Sequence, residues 1–227
     1  MTHHSITDRM RSEWDARARD DAYYYVHSGR HDQTEADFAA SGVDSVELCV
    51  LADLSTLTQE RDPRQLRLLE LGCGIGRMTK PLADVFGEVV GVDVSAEMIS
   101  LARLRLAGVP NARVEVNNGT DLGSFEDDSF DVCFSFIVLQ HIPERSVIER
   151  YIVEMARVLR RGGVAKFQVQ GFQGADYKAQ RKDTWLGETF SEAEMTELIG
   201  GAGLDLLKME GPGTQYFWIT AAKANAR

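Results

Sequence analysis

The sequence is poor in cysteine and proline and contains no long apolar run. Of its 227 residues, 3 are cysteine and 5 are proline, and Cys49, Cys73 and Cys133 form no C-x-x-C pair. This spacing is not that of a structural zinc site, and reduced thiols fit it best. No segment approaches the roughly 18 uncharged apolar residues of a membrane span, and the N-terminus lacks the apolar core of a signal peptide. We therefore expect a cytoplasmic protein without zinc or membrane contact.

Positive charge is also scarce. The chain carries 25 lysine and arginine residues against 35 aspartate and glutamate residues, a net charge of −10. Because nucleic-acid binding needs a basic surface that displaces counterions, we expect no nucleic-acid partner. A small molecule is the better partner, and acidic charge would suit a cationic cofactor or an amine. The length and the 44% hydrophobic content are enough for one well-packed α/β domain with a small addition.

The strongest functional signal is a glycine-rich turn between a predicted buried strand and a predicted helix. The segment reads Leu68-Leu69-Glu70-Leu71-Gly72-Cys73-Gly74-Ile75-Gly76-Arg77. Glycine has no Cβ and tolerates positive φ, so such a turn lets backbone N–H groups approach a ligand closely. At the carboxyl end of a parallel strand, this is where doubly wound sheets bind nucleotides.

The spacing of the glycines argues against a dinucleotide. The G-x-G-x-x-G fingerprint would need its third glycine at the position of Arg77, whereas the third glycine here is Gly76. A second predicted strand, residues 88–92, leads into Asp93, about 20 residues beyond the turn, where an acid can accept both ribose hydroxyls. Alternatively, Asp93 simply stands at the entry of the helix that Ser95 caps.

The pattern Glu70-x-Gly72-x-Gly74-x-Gly76, followed by Asp93, resembles motif I and the ribose-binding acid of the class I S-adenosylmethionine-dependent methyltransferases. The resemblance is to the small-molecule, methyltransferase type 11-like enzymes and runs from about residue 66 to residue 223. It implies a doubly wound α/β fold with a mostly parallel, Rossmann-like sheet of seven strands that ends in an antiparallel hairpin. It also implies an N-terminal helical lid over residues 1–42 and an S-adenosylmethionine-binding domain over residues 43–227.

Hydrophobic periodicity independently predicts an alternation of strands and helices. Met10, Trp14 and Ala18 share one face of a predicted N-terminal helix over residues 7–20. Ser191 and Glu194 form a capping-box pattern that predicts the start of a late helix. The other predicted elements after the second strand are strands over residues 113–117, 130–137 and 164–170, a helix over residues 146–160 stopped by Gly162 and Gly163, and a closing hairpin over residues 204–209 and 216–222.

The resemblance implies a cofactor site built mainly from the ends of the first four strands. At the adenine end the register stays ambiguous, because Asn118 and Asp121 both fit the position that reads the adenine edge, and both could be ordinary turn residues. Met98 has helical spacing and could equally belong to the core. The implied cofactor-binding residues are Glu70, Gly72, Cys73, Gly74, Gly76, Arg77, Asp93, Val94, Met98, Asn118, Gly119, Thr120, Asp121 and Ser135.

The end of the fourth predicted strand should face the transferred methyl group, by the same resemblance. It lacks the Asp/Asn/Ser-Pro-Pro-Tyr/Phe sequence of nucleic-acid amino methyltransferases. Ser135 and Gln170 stand where metal-assisted enzymes need carboxylates, so we expect no metal. Histidine is the residue type whose unperturbed pKa suits a general base near neutrality, which makes His141 the candidate catalytic residue. Alternatively, His141 could only cap the entry of a helix or form part of the wall of the site.

Aromatic residues supply the remaining candidates. Trp14 and the run Tyr23 to Tyr25 lie in the N-terminal segment, where they either form a lid over the acceptor or anchor the helix to the main domain. Three consecutive tyrosines cannot all face one way on a regular element. The residues assigned to substrate or lid are Trp14, Tyr23, Tyr24, Tyr25, Phe136, Gln140 and Trp185.

The sequence therefore predicts an enzyme that transfers a methyl group from S-adenosylmethionine to an oxygen or nitrogen atom of a small molecule and releases S-adenosylhomocysteine. Transfer would be an in-line displacement without a metal, driven by positioning and helped by His141 as a base. Two alternatives stay open. A nicotinamide oxidoreductase would share the first half of the fold, and a non-catalytic nucleotide-binding subunit would need no base.

Overall fold

A seven-stranded sheet forms the centre of the molecule, in the strand order β3-β2-β1-β4-β5-β7-β6. The computed structural model describes residues 6–28, 31–171 and 184–224. Strands β1 to β5 are parallel, whereas β7 runs antiparallel to both β5 and β6. The predicted fold class, including the closing hairpin, is confirmed. The strands are β1 Arg67–Leu71, β2 Glu88–Asp93, β3 Ala112–Val116, β4 Phe130–Ser135, β5 Leu159–Val169, β6 Leu204–Glu210 and β7 Phe217–Lys223.

Helices cover both faces of this sheet. Three begin at side-chain caps: Thr34 and Ser191 each form a capping box, and Ser95 accepts from the backbone N–H of Met98. In the described part of the chain, no helix is both long and apolar enough to span a membrane. The helices are α1 Ile6–Val26, α2 Glu35–Cys49, α3 Leu54–Thr58, α4 Thr79–Ala83, α5 Ala96–Arg105, α6 Arg145–Val158 and α7 Glu192–Gly201.

Two hydrophobic layers separate the sheet from its helices. Successive strand residues point to opposite faces, so Leu68 and Leu69 on β1 enter different layers. Leu69 belongs to the layer beneath α6 and α7, with Ile152 and Ile199. Leu68 belongs to the layer beneath α2, α3 and α4, with Leu82. Burial on both faces explains why the central strands read as continuous apolar runs.

Several predicted boundaries differ from the structure, and the predicted strand over residues 130–137 ends at Ser135. The predicted strand over residues 164–170 begins at Leu159, and the predicted helix before it ends at Val158. Gly162 and Gly163 thus lie within β5 and do not terminate the helix. The irregular pairing of β4 with β5 between Phe130 and Val132 accommodates this early start.

The N-terminal segment packs closely against the rest of the domain. Helix α1 runs beyond the predicted residue 20 to Val26, with non-helical torsion angles at Asp21 (φ −156°, ψ 85°). The expected division between residues 42 and 43 lies inside α2. Ala18 of α1 and Phe38 of α2 share a hydrophobic cluster with Ile75 of the glycine turn. The segment therefore forms part of the wall around the strand ends.

Candidate active site

A cavity lies at the carboxyl ends of β1, β2 and β4, with α1 as its outer wall. Twelve of the residues singled out in the sequence line it: Trp14, Tyr25, Glu70, Gly72, Cys73, Gly74, Arg77, Asp93, Val94, Met98, Phe136 and His141. The others do not contribute to its wall: Tyr23, Tyr24, Gly76, Asn118, Gly119, Thr120, Asp121, Ser135, Gln140 and Trp185. Lining residues that sequence reasoning missed are Met10, Val26, Leu71, Met78, Asn117, Ile137, Val138, Ile142 and Tyr151.

The glycine turn has a backbone that other residues adopt with difficulty. Gly72, Gly74 and Gly76 have φ values of 76°, 53° and 80°, in the left-handed region. A Cβ on Gly72 would also lie 2.2 Å from the side chain of Val138. The turn is held to β2 because the N–H groups of Gly72 and Cys73 both donate to the carbonyl oxygen of Val92, at 2.7 and 3.0 Å.

Cys73 lines the cavity, and its side chain packs within the protein. Its Sγ lies beside Gly91, where an added Cβ would come within 2.9 Å of it. Its hydrophobic cluster includes Ile99, Ala102 and Val114. Burial raises the pKa of this thiol well above its ordinary value. Cys73 is therefore a packing residue with a protonated thiol.

Two carboxyl groups stand side by side in the cavity wall. The hydroxyl of Thr79 donates to Oε2 of Glu70 at 2.6 Å, and burial raises the pKa of Glu70 to about 7. Asp93 accepts from the backbone N–H of Gly74 at 3.0 Å and of Ser95 at 2.9 Å. Removal from bulk water nevertheless raises the pKa of Asp93 to about 6, with a further contribution from the negative charge of Asp15. The pKa values of both carboxyl groups therefore lie close to neutral pH.

Asn117, directly after β3, lines the cavity, whereas Asn118 and Asp121, the two candidates for reading the adenine edge, do not. Its Oδ1 accepts from the N–H of Gly119 at 2.7 Å and from the hydroxyl of Tyr151 at 2.6 Å. Asn118 donates instead to Oδ1 of Asp121 at 2.6 Å, so these two side chains bind each other within the loop. Asn117 could have been found as the polar residue that follows a strand end. Tyr151 had no sequence signal, since it lies inside α6.

His141 lies among aromatic rings at the end of the cavity near β4. The ring of Trp14 is 5.5 Å from it, edge-on, and the ring of Trp185 is 4.9 Å away. Its Nδ1 lies 2.5 Å from the carbonyl oxygen of Trp185. A carbonyl oxygen can only accept, so Nδ1 carries the proton and Nε2 of the neutral ring is the accepting nitrogen.

The three tyrosines of α1 point in three directions. Tyr23 stacks on Phe38 with ring centroids 4.5 Å apart. Tyr24 stacks on the ring of His31 at 3.8 Å. Tyr25 alone reaches the cavity, where its ring meets that of Trp185 edge-on at 5.8 Å.

Helix α1 is fastened on both sides of the cavity. Oδ1 of Asp15 accepts from the Ser95 hydroxyl at 2.6 Å and lies 3.3 Å from the backbone N–H of Glu97, at the start of α5. On the other side, Nη1 of Arg17 donates to the Thr184 hydroxyl at 2.8 Å. The guanidinium also lies 4.7 Å from the centre of the Trp14 ring. The helix therefore bridges α5 and the segment that follows residue 183.

Residues 69–167 match the family model described as a methyltransferase domain. The chain is 27% identical over 185 residues to a ubiquinone biosynthesis O-methyltransferase of Mesorhizobium japonicum, a match that covers 73% of each chain. It is 30% identical over 149 residues to a 2-methyl-6-phytyl-1,4-hydroquinone methyltransferase of Synechocystis sp., covering 63% of this chain and 44% of the other. Its fold resembles that of geranyl diphosphate C-methyltransferase from Streptomyces coelicolor A3(2), with a TM-score of 0.70 and 14% identity over 98% and 99% of the two chains.

The family match and the seven-stranded architecture agree with the glycine pattern of the sequence. Residues 69–167 thus match a methyltransferase domain within the seven-stranded fold, and these findings support methyltransferase activity with S-adenosylmethionine as the cofactor. They do not support the alternatives of a nicotinamide oxidoreductase and a non-catalytic subunit. Among the described residues, no group of three His, Cys, Asp or Glu side chains is placed to hold a metal ion.

The chemistry of the cavity wall fits this cofactor. The carboxyl groups of Glu70 and Asp93 suit a ligand with a cationic sulfonium and a cationic amine, and they would repel a pyrophosphate. Beside them, Val94 and Met98 provide an apolar surface for a base. Arg77, which also lines the cavity, donates to the carbonyl oxygen of Ser41 and the hydroxyl of Ser45, both at 2.8 Å. Its guanidinium is thus already bound by α2.

Replacing the acid at the end of β2 should weaken cofactor binding. Asp93→Ala removes a charged acceptor, which costs roughly 1.5–3 kcal/mol, so the Kd of S-adenosylmethionine should rise by about 10- to 150-fold. Isothermal titration measures this, and Asp84→Ala, an exposed acid after α4, is the control. An unchanged Kd in a folded Asp93→Ala protein would contradict a role in ribose binding.

Cofactor affinity should also depend on pH. The folded-state pKa values of Glu70 and Asp93 are raised to about 7 and about 6, so below these values both carboxyls are protonated and attract a cation less. The Kd of S-adenosylmethionine should therefore increase as the pH falls from about 8 to about 5.5, by up to about tenfold per pH unit for each group that must ionise. Glu70→Gln should remove the part of this dependence near pH 7. A flat profile in the unaltered protein would contradict the assignment.

Proposed function

We propose that this methyltransferase methylates a small aromatic hydroxyl compound, with His141 as the base that accepts the hydroxyl proton. The observation that carries the proposal is the His141 ring, fixed by the Trp185 carbonyl oxygen at 2.5 Å and enclosed by aromatic side chains. An amine is the second candidate acceptor. It would need to be neutral before attack and would not require the base to the same extent.

The acceptor end of the cavity favours an apolar, planar ligand. Phe136, Ile137, Val138 and Ile142 line it together with Trp14, and none of these five side chains carries a positive charge for a phosphate. One relative is named for a hydroquinone, which is an aromatic diol, and another for O-methylation in ubiquinone biosynthesis. The net charge of −10 also argues against a nucleic-acid acceptor.

The chain's own residues then have three tasks. Asp93, Glu70 and the glycine turn bind the cofactor, which supplies an activated methyl group on a sulfonium. The aromatic wall holds the acceptor in line with that methyl group, and positioning of this kind can supply much of the rate acceleration. Nε2 of His141 takes the proton from the acceptor hydroxyl during attack, while the Trp185 carbonyl oxygen, bound to Nδ1, stabilises the resulting positive ring.

Two substitutions of His141 distinguish a catalytic base from a side chain that only forms part of the cavity wall. His141→Ala should lower kcat by about 10²- to 10⁴-fold, because proton transfer is lost, while the Kd of the cofactor stays within about twofold. His141→Phe restores the ring volume without a basic nitrogen and should be as slow as His141→Ala. Release of S-adenosylhomocysteine with a panel of phenols and catechols provides the assay. If His141→Phe recovered most of the activity, His141 would be a wall and catalysis would depend on proximity.

We also propose that α1 is a lid. Its residues Met10, Trp14, Tyr25 and Val26 all line the cavity, so movement of this helix would open the site more widely to ligands. Asp15 holds it at the start of α5 through Ser95, beside the cofactor acid Asp93. Lids of this kind belong to the less stable parts of a protein and become ordered when the site is occupied.

Hydrogen exchange tests the lid. Amides of residues 6–26 should exchange quickly in the free protein and markedly more slowly when S-adenosylhomocysteine is bound, whereas those of β1 should be protected in both states. Asp15→Ala should speed exchange of α1 and raise the Kd about 2- to 10-fold, because it removes the contact with α5. Equal protection of α1 with and without the cofactor would show that the helix is a fixed wall.

A further inference from the structure

The turn that follows β4 contains an unusual backbone conformation. Ile137 has a φ of +56°, a left-handed conformation that is a genuine outlier for a β-branched residue. Such a conformation persists only where the surroundings hold it. Ile137 also lines the acceptor end of the cavity between Phe136 and Val138, so whatever fixes its backbone fixes the shape of that wall.

The side chain of Gln168 holds this backbone. Gln168 lies near the end of β5 and exposes 0% of its surface. Its Oε1 accepts from the N–H of Ile137 at 3.1 Å. Its Nε2 faces three oxygens: the carbonyls of Val169 at 2.8 Å and Gln215 at 2.7 Å, and Oε1 of Gln140 at 2.9 Å. Because one end of the amide meets a donor and the other meets acceptors, its orientation is fixed.

The orientation of the Gln168 amide also determines how the side chain of Gln140 faces His141. Since Gln168 donates to Oε1 of Gln140, the amide nitrogen of Gln140 is turned towards Nε2 of His141, at 3.4 Å. Nδ1 of His141 faces the Trp185 carbonyl oxygen. The long 3.4 Å contact binds Nε2 only weakly. All donors in this row therefore point the same way, from Gln168 to Gln140, to His141 and to Trp185.

We infer that Gln168 is a positioning residue for methyl transfer, which acts through Ile137 on the shape of the acceptor wall and, through Gln140, on the surroundings of Nε2 of His141. This inference rests on the acceptor site proposed above. For packing alone, an apolar residue of similar volume would fill a fully buried position on β5 without the need to satisfy four polar partners. The carboxamide of Gln168 is required because its Oε1 accepts from Ile137 in the strained turn and its Nε2 donates to Gln140.

The first test compares two variants of this residue. Gln168→Met keeps the volume and removes all the hydrogen bonds, so kcat/KM for a phenolic acceptor should fall about 10- to 100-fold while the Kd of S-adenosylhomocysteine changes less than about threefold. Thr220→Val, a buried polar residue of β7 beside β5, is the matched control and should leave both unchanged. Unchanged kcat/KM in a folded Gln168→Met protein would overturn the inference.

The second variant, Gln168→Glu, should have a kcat/KM that depends on pH differently from that of the unaltered enzyme. In Gln168→Glu, a protonated carboxyl can still accept from Ile137 and donate to Gln140, whereas an ionised carboxylate faces three oxygens. Relative to the unaltered enzyme, kcat/KM of this variant should therefore recover as the pH is lowered. A ratio of the two activities that does not change with pH would contradict the role of the donated hydrogen bond.

The ring nitrogens of His141 give a readout that does not depend on turnover. With ¹⁵N-labelled histidine, both proteins should show Nδ1 protonated and Nε2 unprotonated in the neutral ring, and Gln168→Met should change the ¹⁵N chemical shift of Nε2, because the Gln140 amide is no longer oriented towards it. An identical Nε2 shift in both proteins would overturn the link through Gln140. If the unaltered protein bound S-adenosylmethionine but methylated no phenol, the proposed acceptor would be wrong, and the ¹⁵N spectra would still decide the role of Gln168.

Discussion

The site depends on one carboxylate that joins three elements of the fold. Asp93 ends β2, accepts from Gly74 in the turn after β1, and accepts from Ser95 at the start of α5. These two backbone N–H groups have no helical or strand partner, so the carboxylate satisfies them and fixes the turn at the same time. Its place at the point where adjacent strands end is the usual position of a nucleotide site in a doubly wound sheet.

This arrangement leaves the protein with unfavourable charge before any ligand binds. Glu70, Asp93 and Asp15 lie close together, and burial raises the pKa of Glu70 and Asp93 towards neutrality. The ionised forms of Glu70 and Asp93 are therefore disfavoured by burial in the free protein, although the hydrogen bonds of Asp93 join three elements of the fold. They favour a ligand that brings positive charge, because a cation stabilises the ionised form of each carboxyl. The same charges disfavour a dinucleotide phosphate, which agrees with the spacing of the glycines.

The parts of this site that could be predicted from the sequence are those encoded over short distances. The glycine spacing, Asp93 and the caps at Ser95 and Ser191 each depend on a few neighbouring residues, and the alternation of strands and helices fixed the fold class. Asn117 was not identified as a cavity residue, because the predicted strand over residues 113–117 included it, whereas β3 ends at Val116. Tyr151 and Gln168 reach the site from α6 and β5, across the fold, and nothing in their local sequence marks them.

Helix α1 connects the two halves of the site. Asp15 binds Ser95, whose backbone N–H is bound by Asp93 at the cofactor side of the cavity. The preceding residue of the same helix, Trp14, lies against His141 on the other side. Arg17, between the rings of Trp14 and Trp185, fastens the helix to the segment whose carbonyl oxygen orients His141. Because these contacts belong to a single helical segment, the proposed closure of α1 would form them together. Closure over the cofactor would thus complete the orientation of the base, and the acceptor wall would be assembled only when a methyl donor is in place.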